Sequence, residues 1–495
     1  MFAPTDEQHY ALGCYRTADD LVIEAAAGAG KTSTLEYLAR YAPNRRGMYL
    51  AFNRVVANEA KARFSGTGVQ ALTLHALALR SVPNFFGEKL NRSNRFSNWG
   101  VVAKAIGIEE DFRFTAADAR FVKRVKRETL TRSVKETTSK FMRSADAELG
   151  MDHVSLPANL VVSENGRLEL SEYILQFARL LWEDYRSPNG QLPLVHDAYL
   201  KHWQLSSPVL PVDFLFLDEA QDADALSVDV VLRQQNQRVI VGDRNQAIYG
   251  WRTGTMNAMD ALPNAHVAQL TQSFRFGPRI ADEAQKWLDL LGADLRITGT
   301  ESIRSTVDPA VEERDAVICR TNSGAIVEVF EALKVGIDVG IAGERKAEEL
   351  AKLAQAAVDL KEGRKTRHAE FQVFDTWDEL VDFSNTDDGA DLKSLVSIIN
   401  QHGGKRVVSA VEACDMEMAE LVVSTAHISK GLEWGRVHVG DDFKTPRLDQ
   451  DTMRYRFQSE EARLAYVTVT RAKQALGTGG LAWINDFDTS NIDLD

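Results

Sequence analysis

Residues 24–35, EAAAGAGKTSTL, contain groups that could bind the phosphates of a nucleotide. Gly30, Lys31 and Thr32 follow an apolar run and precede a segment with helical periodicity. In such a turn the backbone N–H groups can bind an anion, the lysine can reach the outer phosphates, and the threonine hydroxyl can ligate Mg²⁺. A chance Gly-Lys-Thr turn is the alternative, and the strand–loop–helix context argues against it.

A pair of acids, Asp218 and Glu219, ends the apolar run in FLFLDEAQDAD. Ligand sites of open α/β sheets lie at the carboxyl ends of the strands, where this pair is expected. Asp218 could hold a metal ion through water, and Glu219 could orient and deprotonate an attacking water. Paired acids are usually surface charge, but a pair that ends a buried strand downstream of a phosphate loop indicates catalysis.

The elements that must position these groups are short β-branched runs, each followed by a turn and a helical pattern. Such flat apolar runs are typical of strands in parallel sheets, and their alternation with helices predicts two doubly wound α/β domains. The predicted strands lie at 21–26, 47–52, 214–220 and 238–243 in the first domain, and at 316–320, 338–342, 420–425 and 436–440 in the second.

Two stretches with helical periodicity interrupt these strands, and we interpret them as helical insertions. The phosphate loop and the acid pair both fall in the first predicted domain. The predicted organisation is a first α/β domain at 1–85 and 206–268, its helical insertion at 86–205, a second α/β domain at 269–344 and 415–480, its smaller helical insertion at 345–414, and a loose acidic tail at 481–495.

The composition excludes several classes of protein. No apolar run approaches the roughly 18–20 residues that a membrane span needs, and the first ten residues do not resemble a secretory signal. Cys14, Cys319 and Cys414 are far apart, which argues against a zinc or iron–sulfur site. We therefore expect a cytoplasmic protein, in a bacterium or in the host cell of a virus, with no membrane partner.

The net charge of −13 is not typical of a nucleic-acid-binding protein, but the charge is unevenly distributed. Residues 113–143 contain ten lysines and arginines against three acids. Taken alone, such a run is more often the solvated face of a helix than a binding surface. Contact with nucleic-acid phosphates is the alternative.

The motifs, taken in order, resemble those of superfamily 1 DNA helicases of the UvrD/Rep type. The phosphate loop of that family is A-x-x-G-x-G-K-T, so Ala25 stands where the family expects it, and DEAQD at 218–222 is similar to the second motif. The resemblance extends from about residue 5 to about residue 478. It implies two RecA-like domains with helical insertions, and ATP and Mg²⁺ as cofactors. The other similar motifs lie at 5–8, 49–60, 73–78, 242–252, 270–276, 424–434 and 460–472.

The catalytic roles are carried over from that resemblance. Gln246 would sense the γ-phosphate, and Arg275 and Arg471 would be arginine fingers from the second domain that stabilise the transferred phosphoryl group. These three residues would act with the lysine of the phosphate loop and with the second acid of the pair. The expected catalytic residues are therefore Lys31, Glu219, Gln246, Arg275 and Arg471, and the expected metal ligands are Thr32 and Asp218.

The nucleotide pocket departs from the family at one position. Many relatives carry an arginine where this chain has Ser33, so adenine selectivity is expected to be weaker or to depend on Gln8 and Phe274 alone. Glu433 is expected near the ribose or the γ-phosphate. The expected nucleotide-binding residues are Gln8, Ala25, Gly28, Ala29, Gly30, Lys31, Thr32, Ser33, Phe274 and Glu433.

The expected DNA contacts combine polar groups with aromatic rings, since each stacked base is worth about 1–3 kcal/mol. Trp251 is the favoured stacking residue, and two Thr-x-His units, one per domain, resemble backbone contacts. In the family the first insertion touches the duplex, so we favour phosphate contact for the basic run at 113–143. The expected DNA-binding residues are Phe52, Asn53, Arg54, Thr73, His75, Tyr249, Trp251, Arg252, Thr425 and His427.

The resemblance is strongest to the helicase core of F-box-type DNA helicases. We expect no F-box segment ahead of this core and therefore no ubiquitin-ligase role. Only 150 positions separate Arg275 from Thr425, fewer than in full-length UvrD-type enzymes, so the second accessory domain is expected to be reduced. The resemblance therefore supports translocation more strongly than strand separation.

We expect an ATP-dependent DNA helicase or translocase that moves 3′→5′ on single-stranded DNA in repair, recombination or replication. The expected partners are single-stranded DNA and single-strand/double-strand junctions, with a single-strand-binding protein, a nuclease or a recombinase as protein partners. One rival function is a translocase that displaces proteins and unwinds weakly. The other is a non-catalytic, nucleotide-gated DNA-binding subunit of a repair or defence complex, which the complete catalytic set disfavours.

Overall fold

The computed structural model describes residues 3–51, 54–91, 99–115, 124–157, 162–248, 258–366, 368, 370–371, 374, 376–386 and 389–495, without the side chains of Val55 and Ala390. The chain divides into two compact units. The first comprises Met1–Glu24, Lys31–Gly242 and Tyr249–Ala268, and the second comprises Ala25–Gly30, Asp243–Ile248 and Gln269–Asp495. Residues 25–30 and 243–248 thus pack with the second unit, although they lie between segments of the first in sequence.

The strands are short, and we number them in chain order. They are β1 (Leu21–Ala25), β2 (Gly47–Ala51), β3 (Val69–Thr73), β4 (Phe112–Arg113), β5 (Arg124–Val125), β6 (Phe214–Leu217), β7 (Gln237–Gly242), β8 (His266–Leu270), β9 (Thr306–Asp308), β10 (Ala316–Cys319), β11 (Val339–Ile341), β12 (Leu421–Thr425), β13 (Trp434–Val439), β14 (Arg447–Leu448), β15 (Tyr455–Phe457), β16 (Ala472–Gly477) and β17 (Ile492–Leu494).

The α-helices of the described residues are numbered in the same way. They are α1 (Asp6–Arg16), α2 (Lys31–Arg40), α3 (Arg54–Arg63), α4 (Leu74–Ser81), α5 (Phe85–Leu90), α6 (Trp99–Ile106), α7 (Arg127–Arg143), α8 (Glu164–Arg186), α9 (His196–Leu205), α10 (Ala225–Leu232), α11 (Pro278–Leu290), α12 (Asn322–Lys334), α13 (Lys346–Lys361), α14 (Trp377–Ser384), α15 (Ala390–His402), α16 (Gly404–Glu412), α17 (Ala426–Ser429) and α18 (Ser459–Val469). None of these helices combines the length and the apolar character that crossing a bilayer needs.

The first sheet has six strands in the order β3-β2-β6-β7-β1-β8. The pairs β2·β3, β2·β6, β6·β7 and β1·β7 are all parallel. The central strands are buried on both faces because their sequences are almost continuously apolar, as FLFL in β6 illustrates. The carboxyl ends of β1 and β6 lead directly into the phosphate loop and the acid pair.

The helices of the first insertion do not form a core of their own. Phe141 of α7 and Trp182 of α8 belong to the same buried apolar cluster as Leu215 of β6 and Ile240 of β7. Helix α7 places its apolar side chains on one face and its cations on the other, which is the pattern of a helix that covers a core. The insertion therefore shares a core with the first sheet and stabilises it.

The second unit repeats this architecture with a sheet of six strands in the order β11-β12-β10-β13-β16-β9. The pairs β11·β12, β10·β12, β10·β13, β13·β16 and β9·β16 are all parallel. Two sheets of this kind, each flanked by helices, confirm the prediction of an α/β protein with two RecA-like domains.

The second insertion is helical, with α13 to α16 between β11 and β12. Leu353 of α13 and Ile399 of α15 lie in one buried cluster with Val317 of β10 and Val423 of β12. This insertion too packs directly onto its sheet through a shared core.

The expectation of a loose acidic tail at 481–495 is wrong, because these residues are ordered by their contacts. Strand β17 pairs in parallel with β15, and β15 pairs antiparallel with β14 to give a three-stranded sheet. Trp483 and Phe487 make edge-to-face contacts with each other and with aromatic side chains of β15. Apolar and aromatic residues interspersed among the acids supply the packing that fixes this segment.

Candidate functional site

The phosphate loop follows β1 and ends where α2 begins. Gly28 and Gly30 have φ angles of +74° and +78°, a region that side chains rarely adopt. A Cβ at Gly28 would lie 2.5 Å from Ser273 Oγ and 2.8 Å from Arg275 Cβ, so only glycine fits there. Ala25 ends β1 in an extended conformation and is fully buried, so that position needs no glycine.

The remaining residues of the loop form a tight turn. The N–H of Ala29 donates to the carbonyl of Ala26 at 3.1 Å, and the N–H of Ala26 donates to the carbonyl of Leu270 at 2.9 Å. Helix α2 starts at Lys31, so its N-terminal N–H groups and the positive end of its dipole lie next to this turn. This geometry can bind a chain of phosphates.

Within the first unit, Lys31 meets the second acid of the pair. Its Nζ lies 2.8 Å from Glu219 Oε2, and Gln221 Nε2 donates to the same oxygen at 2.7 Å. Glu219 adopts a left-handed conformation, with φ +50° and ψ +44°, which is strained for a residue with a Cβ. Such strain is common at functional sites, and here it aims the carboxylate at the phosphate-loop lysine.

Asp218 is buried beside Thr32. Thr32 Oγ1 lies 3.2 Å from Asp218 Oδ2, and the hydroxyl of Tyr49 on the neighbouring strand β2 donates to the same oxygen at 2.5 Å. Burial and then the charge of Glu219 raise the pKa of Asp218, while Lys31 and Tyr49 oppose the shift. Tyr49 was not among the expected site residues, although it lies in the predicted strand at 47–52 and begins the family-like motif at 49–60.

A threonine hydroxyl beside a buried carboxylate fits Mg²⁺, which usually takes one or two protein oxygens together with water and phosphate oxygens. Elsewhere among the described residues, no group of three or more His, Cys, Asp or Glu side chains could hold a metal ion. The side-chain oxygens of the predicted ligands Thr32 and Asp218 lie 3.2 Å apart, and both have the right chemistry for this ion.

Gln8, which is expected to contact the base, lies on α1, and Ser33, where many relatives carry an arginine, lies on α2. Gln8 is buried, and its Nε2 donates to Thr34 Oγ1 at 2.9 Å, while its Oε1 completes a capping box with Thr5. Ser33 accepts a hydrogen bond of 3.4 Å from Nη1 of Arg63, the last residue of α3. An arginine from elsewhere in the chain thus lies beside the position where the family usually has one.

In the second unit, two of the predicted residues, Arg275 and Glu433, form one polar group. Arg275 Nε lies 2.7 Å from Glu433 Oε2, and Arg275 Nη1 donates to the carbonyl of Thr470 at 2.9 Å. Although burial opposes it, the charge of Arg275 and then that of Lys473 hold the pKa of Glu433 below its usual value. Glu433 is therefore ionised and fixes the guanidinium.

Arg471 is buried and hydrogen-bonded to its surroundings. Its Nε donates to the carbonyl of Val467 at 2.8 Å, and its Nη1 donates to the carbonyl of Leu432 at 3.3 Å. Phe274, by contrast, is 47% exposed, while its backbone N–H donates to the carbonyl of Gly28 at 2.9 Å. The backbone of Phe274 therefore lies beside the phosphate loop, and its side chain is exposed.

Gln246 lies in the second unit, within the segment Asp243–Ile248. Its Nε2 donates to Asp243 Oδ2 at 2.7 Å, and its backbone carbonyl accepts a hydrogen bond of 2.5 Å from Lys430 Nζ. The hydroxyl of Tyr466 also donates to Asp243 Oδ2, at 3.1 Å. Lys430 and Tyr466 were not predicted, although they lie in the family-like motifs at 424–434 and 460–472.

The two Thr-x-His units occupy equivalent places, each where a parallel strand ends and a helix begins. Thr73 Oγ1 accepts from the N–H of Ala76 and caps α4, whereas Thr425 is buried at the start of α17. His75 Nε2 lies 3.5 Å from Asp197 Oδ1. Burial, and further the charge of Arg320, hold the pKa of His427 below its usual value, although Glu461 opposes this shift.

Of the other residues expected to contact DNA, only some belong to the part of the chain that the structure describes. Arg54 starts α3 and is exposed. In the basic run, most cations of the described residues lie on the exposed face of α7 and just before it, and some are paired with acids, as Arg143 is with Asp197 at 3.0 Å. Phe52, Asn53, Tyr249, Trp251 and Arg252 lie outside the described residues.

A glycine loop ahead of a helix, an aspartate–glutamate pair whose aspartate is buried, and two parallel sheets define a phosphate-loop protein with two RecA-like domains. Residues 5–266 match the family described as UvrD/REP helicase N-terminal domain, and residues 302–478 match the UvrD-like helicase C-terminal domain. The chain therefore belongs to the UvrD/REP helicase family.

Curated relatives extend this likeness over most of the chain. The chain is 28% identical over 511 residues to F-box DNA helicase protein 1 of Schizosaccharomyces pombe, covering 95% of this chain and 57% of that protein. It is 29% identical over 493 residues to F-box DNA helicase 1 of Gallus gallus, covering 92% and 46%. The chain thus spans about half the length of these relatives. A shorter segment of 79 residues is 35% identical to ATP-dependent DNA helicase PcrA of Leuconostoc citreum, which covers 14% of this chain and 10% of that protein.

Proposed function

We propose that this chain is a DNA-dependent ATPase that moves 3′→5′ on single-stranded DNA and unwinds duplexes. The observation that carries the proposal is the ion pair between Lys31 and Glu219, beside the buried set of Thr32, Asp218 and Tyr49. These groups lie where a phosphate loop meets the N-terminus of α2. The direction of movement and the unwinding activity rest on the family resemblance.

In this proposal the phosphate loop, α2 and the acid pair bind and activate the reactants. The N–H groups of the loop and of α2 bind the phosphates of ATP, and Lys31 neutralises their outer charge. Thr32 and Asp218 would hold Mg²⁺, which supplies charge stabilisation between the phosphates when it is bound. Glu219 orients the attacking water and accepts its proton, for which a partly exposed carboxylate is suited.

We assign the stabilisation of the transferred phosphoryl group to Arg275 and Arg471. Support comes from within the second unit, where the Cβ of Arg275 lies so close to Gly28 that no side chain fits between them. Glu433 and the carbonyl of Thr470 fix the Arg275 guanidinium, so little reorganisation is needed when charge develops. Gln246 is assigned the role of sensing the γ-phosphate.

The proposed substrates are single-stranded DNA and single-strand/double-strand junctions. Two Thr-x-His units at the carboxyl ends of parallel strands, one in each sheet, support this assignment. The exposed cations of α7 offer phosphate contacts on the first insertion. Protein partners of the single-strand-binding, nuclease or recombinase type are proposed on family resemblance alone. The three cysteines are free thiols, which fits the cytoplasmic location that we expect.

A second candidate function is a translocase that displaces proteins from DNA and unwinds weakly. It is favoured by the second insertion, whose helices α13 to α16 are packed into the core of the second sheet. A forked duplex with a 3′ tail, the same duplex with a 5′ tail, and a protein-blocked single strand separate these candidates. Unwinding of the 3′-tailed fork supports the helicase, and displacement without unwinding supports the translocase.

The decisive experiment measures ATP hydrolysis with and without single-stranded DNA. Lys31→Ala and Glu219→Gln should each lower the DNA-stimulated rate by at least about a hundredfold, because phosphate charge and water activation are lost. Lys334→Ala and Glu331→Gln, which break an exposed ion pair on α12, are the matched controls and should leave the rate unchanged. Hydrolysis that does not respond to DNA, or that survives both active-site changes, contradicts the proposal.

A further inference from the structure

Tyr466 of α18 places a buried hydroxyl between two segments that carry the proposed chemistry. The hydroxyl accepts a hydrogen bond of 3.1 Å from the N–H of Ala27 in the phosphate loop. It donates a hydrogen bond of 3.1 Å to Asp243 Oδ2, in the segment that contains Gln246. All of these residues belong to the second unit.

We propose that Tyr466 is a positioning residue that links the conformation of the phosphate loop to the orientation of Gln246. The inference rests on the proposed function, because it assumes that Gln246 acts on the nucleotide. It adds a role for a residue that lies outside the groups assigned to catalysis or nucleotide binding.

Asp243 connects Tyr466 to Gln246 because its carboxylate binds both side chains. Its Oδ2 accepts both the Tyr466 hydroxyl and Gln246 Nε2, the latter at 2.7 Å, while its Oδ1 accepts the N–H of Asn245 at 3.0 Å. Asp243 and Tyr466 are fully buried, and Gln246 is 5% exposed. A shift of the hydroxyl therefore acts directly on the oxygen that holds the Gln246 side chain.

Burial makes these hydrogen bonds strongly interdependent. In a low-dielectric interior, neighbouring hydrogen bonds polarise one another, and bonds to an ionised carboxylate are stronger than neutral ones. Burial and then the charge of Asp243 raise the pKa of Tyr466, so its hydroxyl remains protonated. A protonated phenol can accept from Ala27 and donate to Asp243 at the same time.

A purely structural role for Tyr466 makes a different prediction. If the hydroxyl only satisfied buried partners, its removal would lower stability and leave the turnover of the folded protein intact. If it orients Gln246, its removal lowers turnover and does so only when Gln246 is present. A double-mutant cycle distinguishes these cases because residues that act through one another are non-additive.

The experiment compares wild type, Tyr466→Phe, Gln246→Ala and the double variant, using ATP hydrolysis with a saturating thymidine oligonucleotide. Tyr466→Phe should lower kcat about tenfold and leave the KM for ATP and the affinity for the oligonucleotide within about threefold. The double variant should be no slower than Gln246→Ala alone. Asp243→Asn attacks the same link from the other side and should reproduce the loss of kcat.

The matched control is Tyr15→Phe. Tyr15 is also a buried tyrosine, and its hydroxyl has no hydrogen-bond partner among the described residues, so its removal should change nothing. An unchanged kcat in Tyr466→Phe, or a loss that multiplies with that of Gln246→Ala, overturns the inference. A wild type that DNA does not stimulate contradicts the proposed function instead, so the two failures can be told apart.

Discussion

The hydroxyl of Tyr49 donates a hydrogen bond of 2.5 Å to Asp218 Oδ2. Tyr49 lies in the middle of β2 and Asp218 follows the adjacent strand β6, so the parallel pairing of these strands brings the two side chains together. Thr32 Oγ1 approaches the same carboxylate oxygen. One buried oxygen thus connects β2, β6 and α2 at the proposed metal site.

Tyr49→Phe should weaken the use of Mg²⁺. The hydroxyl is the donor that fixes the Asp218 carboxylate, and removal of such a partner typically costs about 10–100-fold in metal affinity or activity. We expect the Mg²⁺ concentration for half-maximal ATP hydrolysis to rise at least about fivefold. The measurement is a magnesium titration of the ATPase rate at fixed ATP, with Tyr15→Phe as control. An unchanged magnesium requirement contradicts a role for Tyr49 at this site.

Arg63 should contribute to nucleotide binding because its guanidinium contacts Ser33 in the first turn of α2. An exposed cation beside bound phosphates is worth up to about 1 kcal/mol, so Arg63→Ala should raise the KM for ATP about three- to fivefold. The kcat should change less than twofold. Arg40→Ala removes an exposed arginine further along α2 and is the control. Equal KM values for Arg63→Ala and wild type would show that Arg63 does not reach the nucleotide.

Short-range signals account for what could be predicted from the sequence. The strands before the phosphate loop and the acid pair are flat and apolar, and Gly28 and Gly30 occupy positions that only glycine tolerates. Several other strands were not predicted because polar residues interrupt them, as in β3 and β8. Their places in the sheets follow from pairing with distant neighbours, which a local pattern does not encode.

The supporting contacts of the site could not be predicted for the same reason. Tyr466 is more than 200 positions from Asp243, and Lys430 is 184 positions from Gln246. Motif order placed these residues near the chemistry but gave no partner for any of their side chains. The tail was misjudged because its acids suggested solvation, whereas Ile492, Trp483 and Phe487 provide its packing.

Lys201 of α9 should make stability depend on pH. Its Nζ is buried and donates to the carbonyls of Ser144 and Asp146, and burial lowers the pKa of Lys201 to about 8. Because the folded pKa lies below the unfolded value of 10.5, the unfolded chain binds more protons between pH 8 and pH 10.5. The contribution of Lys201 to stability therefore increases as the pH rises through this window.

Denaturant unfolding of wild type and Lys201→Met at pH 7.5 and pH 10 tests this sign. The free-energy difference between the two proteins should shift in favour of wild type by on the order of 1–3 kcal/mol at the higher pH. Taking the difference cancels the other groups that titrate in the same range. A difference that is constant, or that shifts toward Lys201→Met, shows that the lysine is not destabilised by burial.

The exposed cations of α7 decide between a solvated helix face and a DNA-binding surface. Arg132, Lys135 and Lys140 are all exposed, and each phosphate contact contributes about 0.9 to the salt dependence of duplex binding. If they contact the duplex, replacing all three by alanine should reduce the slope of log affinity against log salt for a forked DNA by about 2–3. The measurement is fluorescence anisotropy of the fork across a salt series.

The control replaces three exposed cations of the second unit, Arg296, Lys334 and Arg364, and should leave the slope unchanged. Because both triple variants remove the same charge, equal slopes for the two would leave only the solvated-face interpretation of α7.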